Sequence, residues 1–172
     1  VPQAVWIDEQ GRIVRPTENA GAYEGFRALD FETMTVPDEV SATVQASKAT
    51  YVAAIRDWAE HGVDSAHVFT PDQVEARLAA PDDAMAQAHV LFRLGIYLRQ
   101  NGAGEEADAL LAKAADLHPQ SWTIWRQAAA KLENGLAAGP EFWQRVNALG
   151  EGHYYQPVDM AGMPTDGPPP KP

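Results

Sequence analysis

The sequence predicts a mainly α protein that begins with a β-hairpin and ends in an extended, proline-rich arm. Near the N-terminus two short apolar runs flank a turn, which is typical of paired strands. Through the middle of the chain apolar residues recur every three to four positions, the period of amphipathic helices. Toward the C-terminus glycine, proline and methionine dominate and no period remains. We therefore divide the 172 residues into a hairpin with an irregular loop (1–37), a helical domain (38–149) and the arm (150–172).

The hairpin is predicted from its apolar residues and its turn. Residues 4–7 and 12–15 supply the two strands, and residues 8–11 supply the turn. Residues 16–37 show no period, and we expect their scattered aromatic side chains to pack on the core. An isolated two-stranded hairpin is only marginally stable in water. This one must therefore pack on the helices or extend the sheet of a partner.

The first two helices are predicted from their period and from their end signals. Residues 40–60 have a helical period, with Ser41 as the expected N-cap and Gly62 as the stop. A second helix begins after Thr70, an N-cap that precedes a proline, and runs to Leu78.

The next two helices form a predicted antiparallel pair. Asp82 or Asp83 caps a helix that reaches Gln100, where an Asn-Gly turn ends it. The second helix spans residues 104–117, and a His-Pro pair stops it. The short turn between the two places them side by side.

This pair resembles a tetratricopeptide repeat over residues 88–121. Gly95 and Ala107 are small where the two helices of such a repeat cross closely, and leucines fill the space between them. Leu98 departs mildly from the family pattern, which usually has an aromatic residue there. The resemblance implies a helical surface that holds extended peptides or other subunits. The signature positions fall on Leu91, Leu94, Gly95, Leu98, Ala107, Leu111, Ala114 and Pro119.

Two further helices are predicted, at residues 122–134 and 141–149, and Leu132 is expected on the inward face of the first. They carry three of the five tryptophans, Trp122, Trp125 and Trp143. Two interpretations of these tryptophans are open. Core packing is the simpler one. A partner surface is the alternative, because tryptophan is enriched at binding hot spots.

The start of the chain resembles a second family. Pro2 precedes a hairpin whose first strand ends in Ile7-Asp8, followed by a glycine turn and an Arg-Ile-Val return. This order is similar to the cis-proline loop and hairpin of thioredoxin-like and peroxiredoxin-like proteins. The resemblance implies that Pro2 borders a substrate thiol and that redox cysteines lie upstream. The chain would then keep one edge of that fold without its active site.

Composition and motifs argue against several kinds of function. A net charge of −11 and a pI near 4.7 oppose binding of nucleic acid, which needs clustered basic residues. Without cysteine there is no thiolate nucleophile. No apolar run approaches the length of a membrane span. No nucleophile elbow or phosphate-binding loop occurs, so we expect no catalytic residues and no cofactor. No metal site is expected because the histidines are scattered, at His61, His67, His89, His118 and His153.

The arm has too few apolar groups for a core of its own, so its aromatic and methionine side chains are expected to anchor it on another surface. These anchors are Tyr154, Tyr155, Met160 and Met163. The sequence thus favours a non-catalytic protein–protein interaction module, a subunit or accessory piece of a larger assembly. The alternative is the C-terminal part of a thioredoxin-like thiol-disulfide oxidoreductase whose redox site lies upstream of this chain.

Overall fold

The computed structural model describes residues 3–30, 32–78 and 80–168. It confirms a mainly α protein with an N-terminal antiparallel hairpin. Short 3₁₀ turns at Gly25–Ala28 and Gly62–Asp64 accompany the regular elements. These elements are β1 (Gln3–Ile7), β2 (Ile13–Asn19), α1 (Asp38–His61), α2 (Pro71–Arg77), α3 (Asp83–Gln100), α4 (Gly104–Leu117), α5 (Trp122–Ala128) and α6 (Pro140–Asn147).

The hairpin forms where the sequence predicts it, but its return strand is longer. Ile7 pairs with Ile13, and Gln3 pairs with Asn19 at the open end. The turn is closed by Asp8, whose carboxylate accepts hydrogen bonds from the backbone N–H groups of residues 10 and 12. Gly11 takes a positive φ of 77° there, a conformation that favours glycine.

The long helix α1 begins earlier than predicted. Its N-cap is Pro37, not Ser41, and the N–H of Ser41 already donates to the Pro37 carbonyl as part of the first turn. Asp38 and Glu39 favour this earlier start because carboxylates stabilise the positive end of a helix dipole. Gly62 ends the helix as predicted, with a φ of 57°.

The caps of α2 and α3 confirm the sequence signals. Thr70 and Gln73 form a reciprocal capping box, and α2 ends at Arg77, one residue before the predicted Leu78. Asp82 caps α3 by accepting a hydrogen bond from the backbone N–H of Met85.

The helix α5 is shorter than the predicted 122–134. It ends at Ala128, and Leu132 is exposed rather than inward-facing. The reason lies in the turn that follows. The Asn134 side chain accepts a hydrogen bond from the N–H of Leu136, and Gly135 takes a positive φ of 78°. This local arrangement competes with the helix for the backbone groups.

Contacts divide the chain into two compact units. The first unit contains the chain up to residue 79 and again from residue 148, and the second contains residues 80–147. The arm therefore belongs with the hairpin and α1. The core of the first unit consists of Trp6, Val14, Tyr51, Ala54, Val158 and Met163. In the second unit, Ala88, Ala114 and Ile124 form a cluster against which Leu91, Phe92, Ala115 and Leu117 pack.

Helix crossing in the second unit is close at Gly95. A Cβ at this position would lie 2.8 Å from Cγ of Leu111 and 3.3 Å from the carbonyl oxygen of Ala107. Ala107 and Leu111 are fully buried. The small residues therefore set the spacing between α3 and α4. Among the described helices, none has the length and apolar character that a membrane span requires.

Candidate functional site

The predicted arm anchors contact the arm's own unit. Met163 is buried in the core, and Met160 packs against it. Tyr154 and Tyr155 are half-buried, with ring centroids 4.9 Å and 5.8 Å from that of Phe26. Pro2, the remaining candidate at this end of the molecule, lies outside the described residues.

The arm is held by a buried carboxylate, which we call the Glu24 cluster (Glu24, Arg27, His153 and the backbone of Tyr154). Oε2 of Glu24 accepts a hydrogen bond from the N–H of Tyr154 at 2.7 Å. Its Oε1 lies 3.0 Å from Nδ1 of His153 and 3.2 Å from Nη1 of Arg27. Arg27 also donates to the carbonyls of Gly150 and Gly152, at 2.8 Å each. One ion pair thus fixes the backbone where the arm begins.

A second ion pair joins Arg15 and Glu18, two residues of β2, and belongs to what we call the Arg15 cluster (Arg15, Glu18, Tyr51 and Trp6). Arg15 is 1% exposed and donates from Nε and Nη2 to the two carboxylate oxygens of Glu18, each at 2.8 Å. It also donates to the carbonyls of His67 and Asp159, at 2.8 and 2.9 Å. Its guanidinium therefore joins β2, the loop before α2, and the arm.

The Arg15 cluster continues into the aromatic core. Nε1 of Trp6 donates to the Tyr51 hydroxyl at 2.9 Å, and that hydroxyl donates to Oε1 of Glu18 at 3.0 Å. Burial, the largest cause, raises the pKa of Tyr51 to about 12. Trp6 also stacks on Trp58, with ring centroids 4.8 Å apart. These contacts fasten the hairpin to α1.

A cavity beside the Glu24 cluster is too small for a substrate. Its volume is about 10 Å³, which is close to the minimum for a single water molecule. The pair of His153 with a buried carboxylate has the form of a proton-transfer dyad. However, the described residues that line the cavity include no serine, threonine or lysine to act as nucleophile. The arrangement is suited to holding the arm.

The three predicted tryptophans lie together in the second unit. The ring centroid of Trp122 lies 5.9 Å from that of Trp125 and 6.0 Å from that of Phe142, which in turn lies 5.0 Å from Trp143. All three tryptophans are half-buried. The guanidinium of Arg145 lies over Trp122 and Trp125, at 4.9 and 5.2 Å from their centroids. Sequence reasoning did not predict this arginine, because nothing local links it to residues twenty positions earlier.

An exposed apolar strip on α3 is the site that the sequence analysis missed. Val90, Leu94 and Tyr97 are 67%, 45% and 61% exposed. Their spacing of four and three residues places them on one helix face, which we call the α3 strip. Leu94 was expected to fill the space between the paired helices, and that expectation is wrong. Gly95 takes the inward position beside it. The helical period of these three residues was the available signal.

Within the described residues, no group of three or more histidines and carboxylates is arranged to hold a metal ion. Comparison of the chain with family models, with curated proteins and with solved structures finds no match. The two resemblances therefore depend on the residues quoted for them, and function has to be argued from the surfaces described above.

Proposed function

We propose that this chain is a non-catalytic protein–protein interaction module, a subunit or accessory piece of a larger assembly. The observation that carries the proposal is the α3 strip. Three large apolar side chains on one helix face expose apolar surface to water. Burial of this surface against a partner would be favourable.

The helix behind the strip is well supported. Gly95 and Ala88 on the opposite face are buried, and Leu111 of α4 lies against Gly95. The strip is thus presented by a packed helix pair, so a partner would not have to order it on binding. Arg93 is exposed, three residues after Val90 and four before Tyr97, so one cationic side chain borders the α3 strip.

The tryptophan cluster (Trp122, Trp125 and Trp143) supplies a second contact surface in the same unit. Half-buried tryptophans stacked with arginine have the composition of protein hot spots. The tetratricopeptide resemblance, which spans both helices of the pair, agrees with a binding role.

The proposal is tested by isolating the tagged chain from its own cells under native conditions. We expect a partner to co-purify with it at fixed stoichiometry. Leu94→Lys should reduce the amount of partner recovered about tenfold, which corresponds to a loss of about 1.4 kcal/mol of binding free energy. Val63→Lys is the matched control, because Val63 is also exposed but lies in the first unit. Recovery of the chain alone, or equal recovery with both variants, would contradict the proposal.

A second candidate is the C-terminal part of a thioredoxin-like oxidoreductase, with Pro2 beside the substrate thiol. The observation that favours it is the packing of one hairpin face on α1 through Trp6, Tyr51 and Trp58, which gives a sheet-on-helix layer. Sequencing upstream of Val1 in the encoding reading frame tests this candidate. A strand–helix segment with a cysteine there would support this candidate. An upstream sequence without such a segment would exclude it.

A further inference from the structure

The methionines of the chain differ widely in exposure. Met34 is 68% exposed, the largest exposed fraction among the large apolar side chains that the structure describes. Met163 is 8% exposed and lies in the core, where its Sδ accepts a hydrogen bond from the Ser47 hydroxyl at 3.8 Å. Met85 and Met160 are half-buried. The chain has no cysteine, so its thioethers are the sulfur groups open to an oxidant, and Met34 is the most accessible of them.

Met34 lies in a tight turn that the side chain of Asp30 closes. Oδ1 of Asp30 accepts hydrogen bonds from the N–H groups of Glu32 and Thr33, at 2.8 and 3.0 Å. The N–H of Asp30 donates to the carbonyl of Thr35 at 2.8 Å, and the hydroxyls of Thr33 and Thr35 lie 2.8 Å apart. Bonds on both sides of Met34 therefore fix its place in the turn.

The backbone of Met34 has a conformation that methionine rarely adopts. Its φ is 56°, in the left-handed region, and Met34 is the only residue other than glycine with a positive φ in the part of the chain that the structure describes. Backbone strain of this kind persists only where the surrounding contacts impose it, and it is common at functional positions. Here the strained turn holds an apolar side chain in water, so core packing does not explain it.

We propose that Met34 is a reversible oxidation site for hydroperoxides. A lone pair of its Sδ attacks one oxygen of hydrogen peroxide, the O–O bond breaks, and that oxygen stays on sulfur as a sulfoxide. The proton of the attacked oxygen passes to the departing hydroxide, which leaves as water. Sulfur loses two electrons and the peroxide gains them. Methionine sulfoxide reductases reverse the step, with a dithiol as reductant that becomes a disulfide while the oxygen leaves as water.

Oxidation at Met34 changes the surface of the molecule and spares its fold. A sulfoxide is polar, so it disrupts an apolar core in which it forms. Met163 belongs to such a core, whereas Met34 does not. Glu32 beside Met34 is exposed, so oxidation converts an apolar group next to a carboxylate into a wholly polar turn. The inference goes beyond the proposed function, which concerns helices of the second unit.

Peptide mass spectrometry of the folded chain, sampled during treatment with excess hydrogen peroxide, provides the first test. We expect the sulfoxide of Met34 to form about tenfold faster than that of Met163, and faster than those of Met85 and Met160. In urea the four rates should become equal, because the fold no longer protects any of them. Met34→Leu should remove the fast phase, and methionine sulfoxide reductases with dithiothreitol should return the oxidised chain to its original mass.

Thermal unfolding provides the second test, with glutamine as a polar replacement of similar length. Met34→Gln should leave the midpoint unchanged or raise it, whereas Met163→Gln should lower it, because only Met163 lies in the core. The chain oxidised at Met34 alone should melt like the parent protein. A Met34 rate no higher than that of Met85 or Met160 in the folded chain, or a clear drop in midpoint on oxidation of Met34 alone, would overturn the inference.

Discussion

The two units close their cores over very different distances along the chain. In the first unit, Tyr51 of α1 packs with Val158 and Met163, which lie more than one hundred residues later. In the second unit, Ala88, Ala114 and Ile124 come from helices that follow one another directly. Contacts between successive elements follow from local pattern. Contacts between distant segments depend on which side chains meet when a late segment of the chain packs on an early one, and no local pattern indicates these pairs.

The units also differ in what they bury. The first unit encloses two ion pairs, around Arg15 and Glu24, and both bind the arm. In the second unit, the small residues Gly95 and Ala107 let α3 and α4 approach closely, with Leu111 packed against Gly95. We therefore expect the first unit to be most sensitive to loss of charge and the second to added volume. Four substitution experiments test that contrast.

Arg15→Met should have the largest effect. It leaves the Glu18 carboxylate without its cationic partner, and breaking a buried ion pair costs about 3–5 kcal/mol. Hydrogen exchange measured for each unit should show a lower free energy of unfolding in the first and little change in α3 and α4. Arg12→Met is the control, because Arg12 pairs with Asp8 at the exposed turn and such pairs contribute about 0–1 kcal/mol. Equal effects of the two variants would refute the role assigned to Arg15.

Ala107→Leu should destabilise the second unit. The added side chain has no space beside Gly95, and overpacking costs about 1–3 kcal/mol. Ala109→Leu adds the same volume on the exposed side of α4 and should change the thermal midpoint little. If both variants melt like the parent protein, the close crossing at Gly95 is not a constraint.

Glu24→Gln should loosen the arm with a smaller cost in stability. The neutral amide loses the ion pair with Arg27, and an imperfectly satisfied buried group costs about 1–3 kcal/mol. The most direct measurement is hydrogen exchange at the amide of Tyr154, which donates to Glu24. Exchange there should accelerate in Glu24→Gln but not in Glu9→Gln, a matched change at an exposed glutamate. Unchanged protection of Tyr154 would show that Glu24 does not hold the arm.

Tyr51 should have no pH-dependent effect near neutrality and a measurable one in alkali. Its folded pKa is raised from 10.0 to about 12, so the neutral form is favoured on folding. The associated stability is complete below pH 10 and is lost as the pH rises through 12, because the unfolded tyrosine ionises first. Denaturation of wild type and Tyr51→Phe across this range should show a steeper loss for wild type. Parallel curves would contradict the raised pKa.

Sequence reasoning succeeded where a signal and its structure are neighbours. The Thr70 N-cap, the Asp82 cap and the bounds of α4 all depend on contacts within a few residues. It failed where local alternatives compete, as at the Asn134-Gly135 turn that shortens α5.

The Glu24 cluster could not be predicted at all from the sequence. Its two sides are 129 residues apart in the pair of Glu24 with His153, and neither side has a distinctive local pattern. The orientation of Leu94 was missed for a related reason. A repeat signature gives the residue type at a position, whereas Gly95 beside it determines which side of the helix faces α4.

The return of the arm has a consequence for how the molecule is made. On a ribosome, residues 80–147 emerge before the segment that carries Val158 and Met163. The helical unit can therefore fold while the hairpin and α1 still lack part of their core. Until the arm appears, Arg15 has no Asp159 carbonyl to bind and Glu24 has no Tyr154 amide. The first unit to be synthesised is thus the last to be completed.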